Sequence, residues 1–248
     1  MNYSVYQLSV RERVKLIMEW GLIAGVIAFF FYRSWIVFLL LVFLAPLYFR
    51  YRKKDLIKAR KWRITLQFKD ALMMVSANLR AGNSVENAFR RSCTELEHLY
   101  GKECEMAEEF RVIGRGLDNN LVLENMLLDL AVRTQVEEIA DFAEIFAIAK
   151  RTVGNLREII SDTSAAIGEK IEMQRELRVL IASKQLEHKI MCLVPFLIIG
   201  YIGFTSKGYF DSLYHNVSGF FIMTACLAVY FGALYWGKKI TDISMLEG

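Results

Sequence analysis

The sequence predicts an all-α protein: a multi-pass membrane protein with four transmembrane helices and a cytoplasmic helical bundle. Three observations predict it. Apolar residues make up 54% of the 248 and mean hydropathy is +0.28, yet 23% of residues are charged. Both hold together only if the two classes are segregated along the chain. Proline occurs twice, which leaves long runs open to helix. The apolar residues of the charged centre recur at helical spacing, without strand-like alternation of useful length.

The elements follow in order. Residues 1–15 form a cytoplasmic tail. Residues 16–49 form a transmembrane hairpin, because the stretch 20–49 is apolar apart from Arg33 and Ser34 and is too long for one ordinary span. An arginine at the bilayer centre costs about 2.5–3.5 kcal/mol, so the expected solution is a tight turn with Arg33 at the far surface. Residues 50–188 form a cytoplasmic helical domain. Residues 189–206 and 217–236 are the third and fourth spans, joined by an outer loop at 207–216 and followed by a cytoplasmic tail at 237–248. Charge bias sets the orientation. Arg11, Arg13 and Lys15 precede the first arm, and Arg50, Arg52, Lys53, Lys54, Lys58, Arg60, Lys61 and Arg63 follow the second. Lys184, Lys189, Lys238 and Lys239 flank the later spans, while the outer loops hold only Arg33 and Lys207. Both termini are expected in the cytoplasm, the chain in the cell (inner) membrane. No cleavable signal peptide is expected.

Within the central domain three apolar stripes are expected to form the core. They are Ile64, Phe68, Leu72, Val75 and Leu79; Leu123, Leu127, Leu130 and Ala131; and Ile139, Ala143, Phe146 and Ala149. The punctuation between them suits helix ends. Gly82 fits a left-handed C′ position, Asn83 a cap and Glu86 a capping box. Gly154, Asn155 and Glu158 repeat that pattern, Thr134 with Glu137 is a further box, and Gly116 with Asn119 and Asn120 is a looser version. Five or six helices with short connections result. From Asn155 to Pro195 no strong stop occurs, which predicts one helix of roughly 60 Å. It would act as a rigid strut, or as a lever carrying motion towards the bilayer.

Two of these segments carry a family resemblance. Residues 68–88 read FKDALMMVSANLRAGNSVENA, a helix ending in an AG turn before a small-residue helix. Residues 147–160 read AIAKRTVGNLREII, and residues 173–195 pass from charged to apolar with a proline in the span. In this order they resemble the type II secretion system F domain over about 64–202. The membrane plan is similar to the Tad/Flp pilus branch, the TadB- and TadC-like proteins. The second turn departs from the family pattern, since Val153 separates Thr152 from Gly154. The resemblance implies an inner-membrane platform that links a cytoplasmic assembly ATPase to pilin-like subunits. It implies no enzymatic activity and no cofactor, with a sister F-domain protein or a second copy of itself as a further partner.

The residues agree with a chain lacking chemistry of its own. No phosphate-binding glycine loop, GxSxG, HExxH or dinucleotide fingerprint occurs. Cys93, Cys104, Cys192 and Cys226 form no CxxC and are expected to be free thiols. His98, His188 and His215 lie far apart. Spans three and four hold no charge in their cores, which disfavours ion-coupled transport. No nucleic-acid partner is expected. The basic run 50–63 is either a topology signal with a collar of membrane lipid, or a docking surface for an acidic partner. Residues 95–144 hold thirteen Asp/Glu against four Lys/Arg. This acidic stretch would be repelled by anionic lipid. It is either a solvated surface or the face that meets the ATPase, with Glu105, Glu108 and Glu109 at its centre. The alternative function is a membrane-anchored helical signalling or transport component.

Overall fold

The computed structural model describes residues 10–28, 35–43, 45–151, 156–206 and 217–243. Among them the chain is helical and contains no strand. The helices are α1 (Val10–Ile27), α2 (Trp35–Phe43), α3 (Ala45–Arg80), α4 (Val85–Tyr100), α5 (Glu105–Asp118), α6 (Leu123–Thr134), α7 (Glu137–Arg151), α8 (Leu156–Thr205) and α9 (Val217–Ile243). The chain divides into two units, one containing Lys53–Met173 and the other Leu8–Arg52 with Gln174–Gly248.

The first unit is a bundle built on the three stripes. Ile64, Phe68, Leu72, Val75 and Leu79 on α3 are all buried, as are Leu123, Leu127, Leu130 and Ala131 on α6 and Ile139, Ala143, Phe146 and Ala149 on α7. Five phenylalanines from four helices meet at the centre. Phe68 packs edge-on against Phe142 at 5.7 Å and Phe89 stacks on Phe110 at 5.5 Å. Phe146 touches both Phe89 and Phe142. Each such side chain contributes about 1.5–3 kcal/mol by leaving water. On α8 the buried positions are Ile160, Ser164, Ile167 and Ile171. The compact unit ends at Met173, and beyond Ile171 the helix buries no further residue.

The helix ends show how four-residue connections reverse the chain. Gly82, at φ +92°, ends α3: its N–H bonds Leu79 O at 3.0 Å while Asn83 N–H bonds Asn78 O at 3.2 Å. This paired closure needs a left-handed residue at C′. Asn120, at φ +56°, does the same for α5, with Asn120 N–H to Leu117 O and Leu121 N–H to Gly116 O. Two expected caps need correction. Ser84, not Asn83, caps α4: its Oγ accepts from Asn87 N–H at 3.3 Å, while Asn83 Nδ2 donates back to Asn78 O. The left-handed Gly82 takes Asn83 into the closure of α3, which moves the next helix start on by one and places Glu86 a residue short of the capping-box position. Thr134 opens no helix either. It is the buried last residue of α6, and its hydroxyl donates to Leu130 O at 2.8 Å. Gly154 and Asn155 lie outside the described residues; Glu158 is an exposed residue in the first turn of α8.

In the second unit the apolar N-terminal stretch folds back on itself. Trp20 Nε1 donates to Leu41 O at 3.1 Å, and its ring stacks on Tyr48 at 5.0 Å. Leu41 lies in the last turn of α2, where carbonyls lack an intrahelical donor, so the indole supplies one. Arg33 and Ser34 lie outside the described residues. Further along, Pro195 sits inside α8 and removes one backbone hydrogen bond. Tyr230 of α9 packs edge-on against Phe196, and its hydroxyl donates to Cys192 O at 2.9 Å beside that opening. Gly237 leaves the space that the His188 ring fills. Among the described residues one helix, Leu156–Thr205, is long and apolar enough to cross a membrane, and Phe221–Gly237 is apolar but shorter.

Two glycine substitutions separate backbone strain from crowding. A Cβ meets no atom within 4 Å at either Gly82 or Gly168, but only Gly82 has a positive φ. Gly82→Ala is expected to cost about 1–2 kcal/mol. Gly168→Ala, inside α8, is expected to stabilise by about 0.4–1 kcal/mol. Urea midpoints of the full chain measure both; equal signs would contradict this account.

Candidate functional site

The expected functional residues are two sets of charges, and the structure divides each. In the basic run, Arg50, Lys54 and Lys58 are exposed and Lys53 is half-buried. Arg52 bonds Glu19 at 2.9 Å and lies over the Tyr48 ring. The last three members bond partners on neighbouring helices at the bundle surface. Arg63 Nη2 donates to Glu105 at 2.7 Å, and Arg60 Nε lies 3.7 Å from the same oxygen. Lys61 Nζ donates to Gln135 O at 3.0 Å, at the left-handed residue that ends α6. The eight residues are therefore no single collar. One helical turn of them fastens α3 to α5 and to the α6 terminus.

The acidic trio is likewise divided, which corrects the expectation of one docking face. Glu105 is held by Arg60 and Arg63, and Gln67 Nε2 donates to it at 3.4 Å. Glu109 is buried and accepts from Arg133 Nη1 at 2.6 Å. Only Glu108 is exposed. The amphipathic pattern of α5 explains this, since Met106, Ala107, Glu109, Phe110 and Ile113 lie on its inner side.

The same holds across the acidic segment. Nine of its thirteen acids make ion pairs: Glu97, Glu105, Glu109, Asp118, Glu124, Asp129, Glu137, Glu138 and Asp141. Many of the bases come from outside the segment. Arg90 meets Asp118 at 2.8 Å and Lys150 meets Glu124 at 2.9 Å. Lys170 lies among Glu137, Glu138 and Asp141 at 3.3, 3.7 and 3.8 Å. Residues 53–173 together hold eighteen Lys/Arg and twenty Asp/Glu. The surplus seen along the chain is nearly cancelled in space, which removes most of the expected repulsion from anionic lipid.

These pairings set the local acid–base behaviour. The bond that Arg133 donates to Glu109 raises it well above its ordinary value, against the opposing effect of burial, and Asp129 adds to this. The bond from Arg111 holds the Glu97 carboxyl below the usual range. Burial would raise Glu124, but its bonds to Lys150 and to backbone outweigh this and lower it. Burial, then its bond to Asp70, pushes the Tyr100 hydroxyl up. Burial also raises the Cys93 thiol, whose Sγ donates to Ala107 O at 3.5 Å; a raised thiol is a poor nucleophile near neutral pH. All four cysteines are free. Among the described residues no group of three His, Cys, Asp or Glu is gathered for a metal.

Sequence reading missed Gln67. It is buried on α3, and its Oε1 accepts from Met106 N–H at 3.2 Å, an orphan donor of α5. Cys104, at the N-cap position, makes no side-chain cap bond. That lack, a helix start without Ser, Thr, Asp or Asn, was the one available signal. No family model, curated protein or solved structure matches the chain.

Two outcomes follow from these pairs. Glu109→Ala and Arg133→Ala should each cost about 2–3 kcal/mol, and the double variant should cost less than the two together, as urea unfolding of the full chain would show. Glu97 has a folded-state value below the unfolded one, about 4.3. Its contribution is present above that pH and is lost as pH falls through the lower folded value. The difference in urea midpoint between the wild-type chain and Glu97→Gln is therefore expected to shrink below about pH 4.

Proposed function

We propose that this chain is an inner-membrane platform of a Tad/type IV pilus-like or type II secretion machine, coupling a cytoplasmic assembly ATPase to pilin-like subunits as they leave the membrane. In this reading the hairpin 16–49 and the segments 189–206 and 217–236 make four spans. Both termini and the bundle lie in the cytoplasm. The exposed Arg50, Lys54 and Lys58 meet anionic headgroups. The chain carries no reaction of its own and transmits work done by a partner.

The observation that carries the reading is α8. One helix contributes Ile160, Ile167 and Ile171 to a packed bundle core and continues into a charge-free stretch at 190–206 long enough to enter a bilayer. A bundle whose own helix becomes the apolar segment suits a part that passes force along a rigid element. The glycine turn at 80–84, closed by Gly82 and reopened by Ser84, stands in the segment 68–88 that resembles the F domain. The ion pairs favour a rigid body over a catalytic one, because its buried acids and bases neutralise one another.

The test is affinity purification of the full chain from native membranes, with identification of what accompanies it. The expected result is a chain retained in membranes after carbonate washing, accompanied by an assembly ATPase and small pilin-like subunits. Release by carbonate, or recovery of neither partner, would overturn the proposal. Glu108→Lys, which alters the one exposed acid of the trio, is expected to lower ATPase recovery several-fold without changing membrane retention. Unchanged recovery would show that the ATPase docks elsewhere.

A further inference from the structure

The chain has two prolines, and before each of them a side chain of a neighbouring helix bonds a backbone carbonyl. Pro46 stands in the first turn of α3, and Trp20 of α1 donates to Leu41 O, five residues before it. Pro195 lies inside α8, and Tyr230 of α9 donates to Cys192 O, three residues before it, at 2.9 Å. Because α8 continues through Pro195, the missing N–H has a definite acceptor, Met191 O, and the pyrrolidine ring crowds that carbonyl. An apolar surrounding offers no water to carbonyls loosened in this way, so a neighbouring helix must serve them.

Contacts of α9 lie on both sides of this opening. Before it, the His188 ring fills the space at Gly237; after it, Phe196 packs edge-on against the Tyr230 ring at 5.5 Å. The two contacts are about two turns apart on each helix and run antiparallel. Burial follows the same seam. His188, Cys192, Pro195 and Phe196 are half-buried, whereas Met191, Leu193 and Val194 between them are exposed. On α9, Met223 is buried and Leu227, Tyr230, Leu234 and Gly237 are half-buried, at spacings of four and three. We propose that α8 has a hinge at 191–195, that α9 is a splint across it, and that the Tyr230 hydroxyl is the latch. With the bond made, one continuous helix braces α8 before and after the proline, and a displacement along α8 passes it. With the bond released, the turn loses its interhelical donor as well as the one that proline lacks, and it bends there, as helices do at proline. The hydroxyl is the switching group, since the contact with Phe196 needs only the ring. The device needs only the seam between α8 and α9, and it stands whether or not the chain is a platform.

Hydrogen exchange of the full chain in detergent, resolved by mass spectrometry to the segment 192–199, tests the latch, with circular dichroism to show that each variant remains folded. Tyr230→Phe keeps the ring and removes the hydroxyl, and is expected to raise exchange in that segment about three- to tenfold. Pro195→Ala restores the missing N–H, and in that background the effect of Tyr230→Phe is expected to fall below about twofold. Ordinary packing in the seam would lose the same amount in either background. Tyr235→Phe, at an exposed position of α9, is expected to leave exchange unchanged. Unchanged exchange in Tyr230→Phe, an equal rise with and without Pro195, or a like rise in Tyr235→Phe would overturn the proposal.

Discussion

Every helix leaves four N–H groups at its start and four carbonyls at its end without partners inside the helix. In this bundle local closures at Gly82, Ser84 and Asn120 meet part of that constraint, and one helix, α3, meets it at two further ends. Gln67 of α3 accepts from the first turn of α5, and Lys61 of α3 donates to the carbonyl that ends α6. Arg60 and Arg63 hold Glu105, at the first position of α5, beside them. The same helix presents Ile64, Phe68 and Leu72 to the core. The polar fastening and the apolar packing are thus supplied by adjacent turns. Neither can shift register without the other, because a sliding α3 would withdraw both the rings and the caps.

Charge in this protein has a different meaning along the chain and in space. Read in sequence, the basic run and the acidic segment look like two surfaces waiting for two partners. In the fold they substantially answer each other: Arg60 and Arg63 take Glu105, and Arg90, Lys150 and Lys170 take acids from the segment. What is left exposed is of both signs and spread over the bundle, as at Lys54, Arg91, Lys102, Glu103 and Glu108. A half-buried pair such as Glu109 with Arg133 serves geometry more than net stability, since desolvation offsets much of its attraction.

The core was legible because periodicity reports burial directly. Every residue of the three stripes is buried, since a 3.6-residue repeat leaves little choice of face. The glycine at 82 was legible for a similar reason, as few residues tolerate that backbone angle. The caps were half legible. Asn83 and Ser84 are both capping residues, and which of them caps depends on how many residues the preceding closure consumes. Thr134 next to Gln135 suited a start or a stop equally well, and the left-handed Gln135 decided for a stop. The long-range fasteners were not legible. Gln67 to Met106 and Arg133 to Glu109 join residues 39 and 24 positions apart, and no local pattern encodes such distances. The charged trio failed for the same reason: Glu105, Glu108 and Glu109 share one side of α5 by their spacing, but Arg60 and Arg63 take the first and Arg133 the last from distant helices, leaving only Glu108 exposed.

The connections within the bundle are four residues between α3 and α4, four between α4 and α5, four between α5 and α6, and two between α6 and α7. Contacts that are near in sequence close quickly and at small entropic cost. The two hairpins, α4 with α5 and α6 with α7, can therefore assemble while the chain is still being made. Residues 53–151 can collapse on α3 before the apolar stretch at 190–206 has left the ribosome. The chain would present a formed bundle, rather than loose amphipathic segments, at the moment its later apolar stretch emerges.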